Sequence, residues 1–339
     1  MKRSQDRIKI GITVLVLSLA LAACSDKSTG SDSPSPTPTS SSTPAPTETA
    51  SSTPDEQNDE LILKQFRDLA MANPTADQLF ASFKQSIVDV QPAQADDFIR
   101  ALEAYYKKNL PEAEQKFEAD QVQQKLMQMK WPITDQQIQE IKDDSTRELV
   151  QQTVAGGYKL ETAEGFVFPV VDYGQLLTYA DKLSISMKAY LDVMATESDS
   201  ATASDGGLII SWDELASRTL AAESYVVTFP DTPERAAIEQ RYLNYLTLYL
   251  IGLDNTPIFD YDTFIILPEV KKQYEQMAAS HAGTITGQMA KGMLAILNES
   301  KGAVFTKDKN GEQVDIPEMK QFRDKIQSSA RSKLPAGKN

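Results

Sequence analysis

From residue 58 almost to the C-terminus, apolar side chains return every three or four positions, and prolines, glycines and capping residues repeatedly interrupt them. A 3.6-residue apolar period builds amphipathic helices, and frequent interruption keeps those helices short. Leu61, Ile62, Phe66 and Leu69 form a first stripe, closed by Asn73-Pro74. Thr75 to Gln78 has the capping-box pattern and opens a second stripe, Leu79, Phe80, Phe83, Ile87 and Val90, ended by Pro92. Phe98, Leu102 and Tyr105 mark a third helix, and Pro111 suits the first turn of a fourth carrying Phe117 and Leu126. A second capping box, Thr134 to Gln137, starts a helix through Ile138, Ile141 and Leu149 to Gly156-Gly157.

The β-branched and aromatic run Tyr158 to Tyr173, folded back at Ala163-Glu164-Gly165, predicts a hairpin. A long helix through Leu176, Leu183, Met187, Tyr190 and Met194 follows, then a loop, ESDSATASDGG. Ser211 to Glu214 is a third capping box, and Glu214 with Arg218 is an i,i+4 pair. Thr232-Pro233 opens a strongly apolar helix, AAIEQRYLNYLTLYLIGL, expected at the centre of the core. Pro268 begins a long helix through Tyr274, Met289 and Leu297. Asn310-Gly311 signals a second hairpin, and a final helix starts near Glu318. The expected fold is therefore mainly α, an irregular multi-helix domain over 58–335 with two small β-hairpins and a sub-boundary near 156–165. No fixed-period repeat is evident.

The first 57 residues obey different rules. MKRSQDRIK is basic, IGITVLVLSLALAA is apolar and uncharged, and Leu21-Ala22-Ala23-Cys24 ends the run with small residues and the only cysteine of the chain. That order is the pattern of a secretory signal peptide, with an apolar stretch shorter than a comfortable membrane span. Leu21-Ala22-Ala23-Cys24 resembles the lipobox of bacterial lipoproteins. The resemblance implies cleavage before Cys24 and diacylglycerol on its sulfur, with residues 1–23 as the signal peptide. Each buried CH₂ contributes about 0.8 kcal/mol, and two chains give a stable anchor. A lipidated Cys24 would leave no thiol for a disulfide.

Residues 25–57 are nearly all Ser, Thr, Pro, Ala and acid. They hold too little apolar surface to offset ordering entropy, so 24–57 reads as a lipidated cysteine followed by a disordered stalk. At about 3.1 Å per residue a fully extended stalk would reach on the order of 100 Å. Lipobox and stalk together resemble a Gram-positive surface lipoprotein.

The chain carries 34 Lys plus Arg against 48 Asp plus Glu, a formal net charge of −14, and the basic signal segment makes the remainder more acidic still. That balance opposes binding to nucleic acid. Lys320, Arg323, Lys325, Arg331, Lys333 and Lys338 form one basic tail, read as the solvated face of the last helix.

His281 is the only histidine, which removes the usual zinc sites and leaves a Ser-His-Asp triad only that one candidate. It sits in MAASHAGTITG, expected mid-helix as a packing or surface residue. Tyr242, Tyr245 and Tyr249 share a helix face and read first as a core stripe. Carboxylates are the remaining chemical option: Glu197, Asp199 and Asp205 in one loop, Asp254, Asp260 and Asp262 in another. Neither loop has EF-hand spacing. The sequence thus names no catalytic or metal residue and implies no cofactor beyond the covalent lipid. It points to a protein anchored on the outer face of the bacterial cell membrane, with a helical binding or scaffolding domain. Its candidate partners are an envelope protein, a peptide or a glycan, and the rival function is an envelope hydrolase using paired carboxylates.

Overall fold

The computed structural model describes residues 54–337; the Leu21–Cys24 motif and the stalk to Thr53 lie outside them. The chain begins with α1 (Pro54–Met71) and α2 (Ala76–Ser86), separated at Asn73-Pro74 as the sequence predicts. Then comes α3 (Pro92–Gln115), with Pro92 in its first turn. Phe66, Phe80, Phe83 and Phe98 are all buried where these three helices meet, with Phe66 and Phe98 ring centroids 5.0 Å apart.

Pro111 does not start a helix but lies inside α3. Its missing N–H costs one helical bond near the C-terminal end, where Pro111 is exposed and Leu110 and Ala113 still hold the helix to the core. The expected fourth helix starts later, as α4 (Asp120–Met127). The next expected helix is two, α5 (Asp135–Glu140) and α6 (Asp144–Ala155). The break falls at Ile141, which is extended, because Asp143 accepts from the Thr146 N–H at 2.9 Å and caps a new start.

The first hairpin is β1 (Tyr158–Ala163) paired antiparallel with β2 (Phe166–Val171), Tyr158 opposite Val171 and Ala163 opposite Phe166. The long helix expected after it is broken too, into α7 (Tyr173–Leu177) and α8 (Ile185–Asp199). Ser184 is the reason: its hydroxyl caps Met187 and donates to Asp96 of α3 at 2.6 Å.

Beyond α8 the order is β3 (Ala203–Ser204), β4 (Gly207–Leu208), α9 (Trp212–Thr228), α10 (Arg235–Ile251), β5 (Gly252–Leu253) and β6 (Thr256–Pro257). The chain then runs through α11 (Pro268–Ser280), α12 (Ile285–Glu299), β7 (Phe305–Lys307), β8 (Gln313–Asp315) and α13 (Pro317–Arg331). The helix expected through Leu297 is interrupted at His281–Thr284, where the Thr284 hydroxyl accepts from Gly287 N–H at 2.9 Å. Among the described residues four hairpins thus stand where two are expected, and each joins two helices: α6 to α7, α8 to α9, α10 to α11, α12 to α13.

Two apolar cores hold these elements. The larger runs from α1 to α13 and includes Tyr242, Leu243, Leu246 and Leu250 of α10, all fully buried, so α10 is central as expected. The smaller joins Phe117, Val122, Leu126, Ile138, Ile141, Val150 and Val167. Tyr158 belongs to the larger core and Val167 to the smaller, so the β1–β2 ribbon straddles the two. No helix among the described residues is long and apolar enough to cross a membrane.

Candidate functional site

The ribbon's two edges are treated differently. Asp172 N–H donates to the Gly157 carbonyl, so in an antiparallel ladder Tyr158, Leu160 and Thr162 turn their backbone groups outward, as do Val167 and Pro169 on the other strand. On the β2 side, Gln123 of α4 occupies that edge. Its amide nitrogen donates to the Val167 carbonyl at 2.7 Å, and its oxygen accepts the Val167 N–H at 2.8 Å. Pro169 has no N–H to offer. At Val167 the β2 edge is therefore closed by a side chain acting as a neighbouring strand would.

Along β1 lies a cleft of about 430 Å³. Leu160 forms part of its wall, and among the described residues no group hydrogen-bonds the outward N–H or C=O of Leu160. One side of the cleft is apolar, with Ile133, Ile138, Val150 and Val154 from the α5–α6 region. The other is charged: Lys159, Glu161, Asp172 and Asp199, with Asp135 near the α5 end. Strand alternation explains the division, since Tyr158 and Leu160 face one way and Lys159 and Glu161 the other.

Asp199 accepts from Lys159 Nζ at 2.5 Å. Asp172 caps α7 by accepting the Gln175 N–H at 3.0 Å. A Cβ placed on Gly174 would lie 3.1 Å from Asp199 Oδ1 and 3.3 Å from Asp172 Oδ1, so the two carboxylates both approach that residue closely. Burial raises the Glu161 carboxyl above its usual range, Lys159 opposes that, and Asp199 adds to it.

Tyr158 lines both this cleft and a smaller one of about 160 Å³. Its ring meets Tyr106 edge to face at 4.8 Å, and its buried hydroxyl has no hydrogen-bond partner among the described residues. Gly157 permits this packing: its φ is +79°, and a Cβ there would fall 2.1 Å from Tyr106 Oη.

The residues singled out by sequence scatter. Of the acids expected in loops only Asp199 reaches this cleft; Asp205, Asp254, Asp260 and Asp262 are exposed. Asp260 organises its own turn, accepting from Thr263 N–H and hydroxyl at 2.8 Å. Glu197 and Asp199 are not in a loop but in the last turn of α8. Glu197 accepts from Tyr245 Oη and Thr202 Oγ1, both at 2.6 Å, and lies 3.5 Å from Arg218 and 3.7 Å from Arg241. Burial disfavours its charge, yet these bonds hold its carboxyl below the usual range. Glu197 thus ties α8 to α9 and α10.

Tyr242, Tyr245 and Tyr249 are buried, as a core stripe should be, and Tyr249 Oη donates to the Gln273 carbonyl at 3.0 Å. His281 is exposed and terminates α11 rather than lying mid-helix. In the basic tail, Lys320 pairs with Asp324, Arg323 with Asp315 and Arg331 with Glu239. Among the described residues, no three His, Cys, Asp or Glu side chains gather as a metal would require.

Sequence reading missed Gln123, Lys159, Glu161 and Asp172. Pro169 was the available signal, because proline in a strand marks an edge. No protein-family model, curated protein or solved structure matches the chain.

Proposed function

We propose that this chain is a lipid-anchored protein of the outer face of a bacterial cell membrane whose helical domain binds a partner in the cleft along β1. The anchor rests on the basic, apolar and LAAC succession ending at Cys24. The binding role rests on one observation: the outward backbone of Leu160 is unpaired on the wall of a cleft, while the equivalent edge at Val167 is closed by Gln123. An exposed strand edge is a ready template for pairing, and folded proteins normally cover or blunt it.

Two measurements test this. With Cys24→Ser the protein should leave the membrane fraction; undiminished membrane association would remove the anchor. A photo-crosslinking residue at Ile133, in the cleft wall, should capture a partner on intact cells, whereas one at exposed Ile209 in the loop after β4 should not. Equal capture at both positions would remove the cleft.

A second reading, an envelope hydrolase with paired carboxylates, draws on Asp172 and Asp199 both approaching Gly174 closely. It expects Asp199→Asn to abolish release of soluble fragments from cell-wall glycan; unchanged or absent release would count against it.

A further inference from the structure

Resting on the cleft-binding reading, we propose that the occupant is an extended cationic polypeptide segment of a partner protein, with basic and apolar residues alternating, that adds to β1 as a third strand. Three features of the cleft select that chemistry.

The first is backbone. Leu160, and Thr162 beyond it, present outward N–H and C=O groups at the two-residue spacing that an added strand matches. Six residues of β1 at about 3.3 Å each offer an edge of roughly 20 Å.

The second is the division of the walls. In an added strand, alternate side chains would point to opposite faces. One set would meet Ile133, Val154 and Leu160, partly exposed residues packed against the smaller core. The other set would meet Glu161 and Asp199, with Asp172 close by. Lys159 is the single cation in that wall and already pairs with Asp199, so the cleft keeps a surplus of negative charge that a basic side chain would offset. Charge complementarity steers encounter and favours one sign of partner.

The third feature is exclusion of the nearest alternative. The chain's own stalk could compete for the cleft, but it is poor in bases and carries Pro34, Pro36, Pro38, Pro44 and Pro46. Proline offers no N–H to a ladder, so the stalk is a poor third strand.

The test uses the full mature chain and a fluorescent acetyl-Lys-Val-Lys-Val-Lys-Val amide, read by anisotropy. The peptide should bind, and a Glu-Val counterpart should bind at least about tenfold more weakly. Two further peptides carry N-methyl groups on alternate residues, one set on the lysines and the other on the valines. One of them should lose about tenfold in affinity, because its strand edge no longer donates. Lys159→Ala frees Asp199 and should tighten Lys-Val binding by roughly threefold, while Asp199→Asn should weaken it by a similar factor. A role confined to folding would not produce opposite signs at these two positions.

Equal binding of the Glu-Val peptide, or full affinity of both methylated peptides, would overturn the proposal. So would displacement of the probe by a peptide of residues 31–53, which would identify the stalk as occupant. If the peptides fail while a crosslinker at Ile133 still captures a partner on cells, the cleft remains a binding site and only strand addition is wrong.

Discussion

Along β2, the side chain of Gln123 supplies both halves of a strand's pairing to Val167; along β1, Leu160 has no such neighbour. The two edges belong to one ribbon of two six-residue strands, so intrinsic strand preference does not separate them. What separates them is the packing beside each. At β2, α4 lies close and Val167 is buried in the smaller core, where unpaired backbone would be costly. At β1 no side chain among the described residues pairs with the outward backbone of Leu160, and a cleft lies beside it. Glu223 of α9 shows a buried polar group whose partners are all supplied by the fold. Glu223 is only 4% exposed and accepts from Ile285 N–H at 2.5 Å, Thr286 N–H at 2.9 Å and Thr286 Oγ1 at 2.6 Å.

Glu223 sets the scale. Glu223→Ala would strand three donors at the N-terminus of α12 and should cost about 3 kcal/mol in chemical denaturation, the largest effect expected here. A loss below about 1 kcal/mol would mean that water readily replaces such partners, and the closed β2 edge would then say little. Gln123→Ala tests that edge itself. Removing both bonds to Val167 should cost about 1–2 kcal/mol and make the two edges alike.

Glu103 of α3 sharpens the comparison through pH. It is half-buried, accepts from Tyr190 Oη at 2.5 Å and Tyr173 Oη at 3.0 Å, and desolvation raises its carboxyl above the usual range despite those bonds. As pH rises through the ordinary glutamate range, the unfolded chain gives up this proton before the folded one does, so stability falls until the raised value is passed. Denaturation at a series of pH values should show Glu103→Gln lacking that decline. A variant as pH-sensitive as the parent would place the proton elsewhere. The smallest effect belongs to Lys159→Ala, whose loss of the Asp199 pair should change stability by about 0.5 kcal/mol or less.

Much of this architecture is legible in the sequence. The helix starts at Thr75, Thr134 and Ser211 and the turns at Gly165 and Asn310-Gly311 all fall where local chemistry puts them. The missed breaks at Ser184 and Thr284 depend on single capping hydroxyls within otherwise continuous apolar periods. The hairpins β3–β4 and β5–β6 have strands of two residues, too short to show alternation, although Asp205-Gly206 carries a turn signal. Their unequal spacing along the chain also hides the recurrence of hairpins between helices. The cleft was the least legible part. Asp135, Glu161, Asp172 and Asp199 come together only through tertiary packing, and the open edge of β1 becomes visible only once Gln123 is seen on β2.

Site-resolved hydrogen exchange of the free protein tests the central claim most directly, by comparing the amides of Leu160 and Val167. The account predicts faster exchange at Leu160, protection at Val167, and loss of that protection in Gln123→Ala. Equal protection at Leu160 and Val167 in the unliganded protein would contradict it, because β1 would then have a partner of its own.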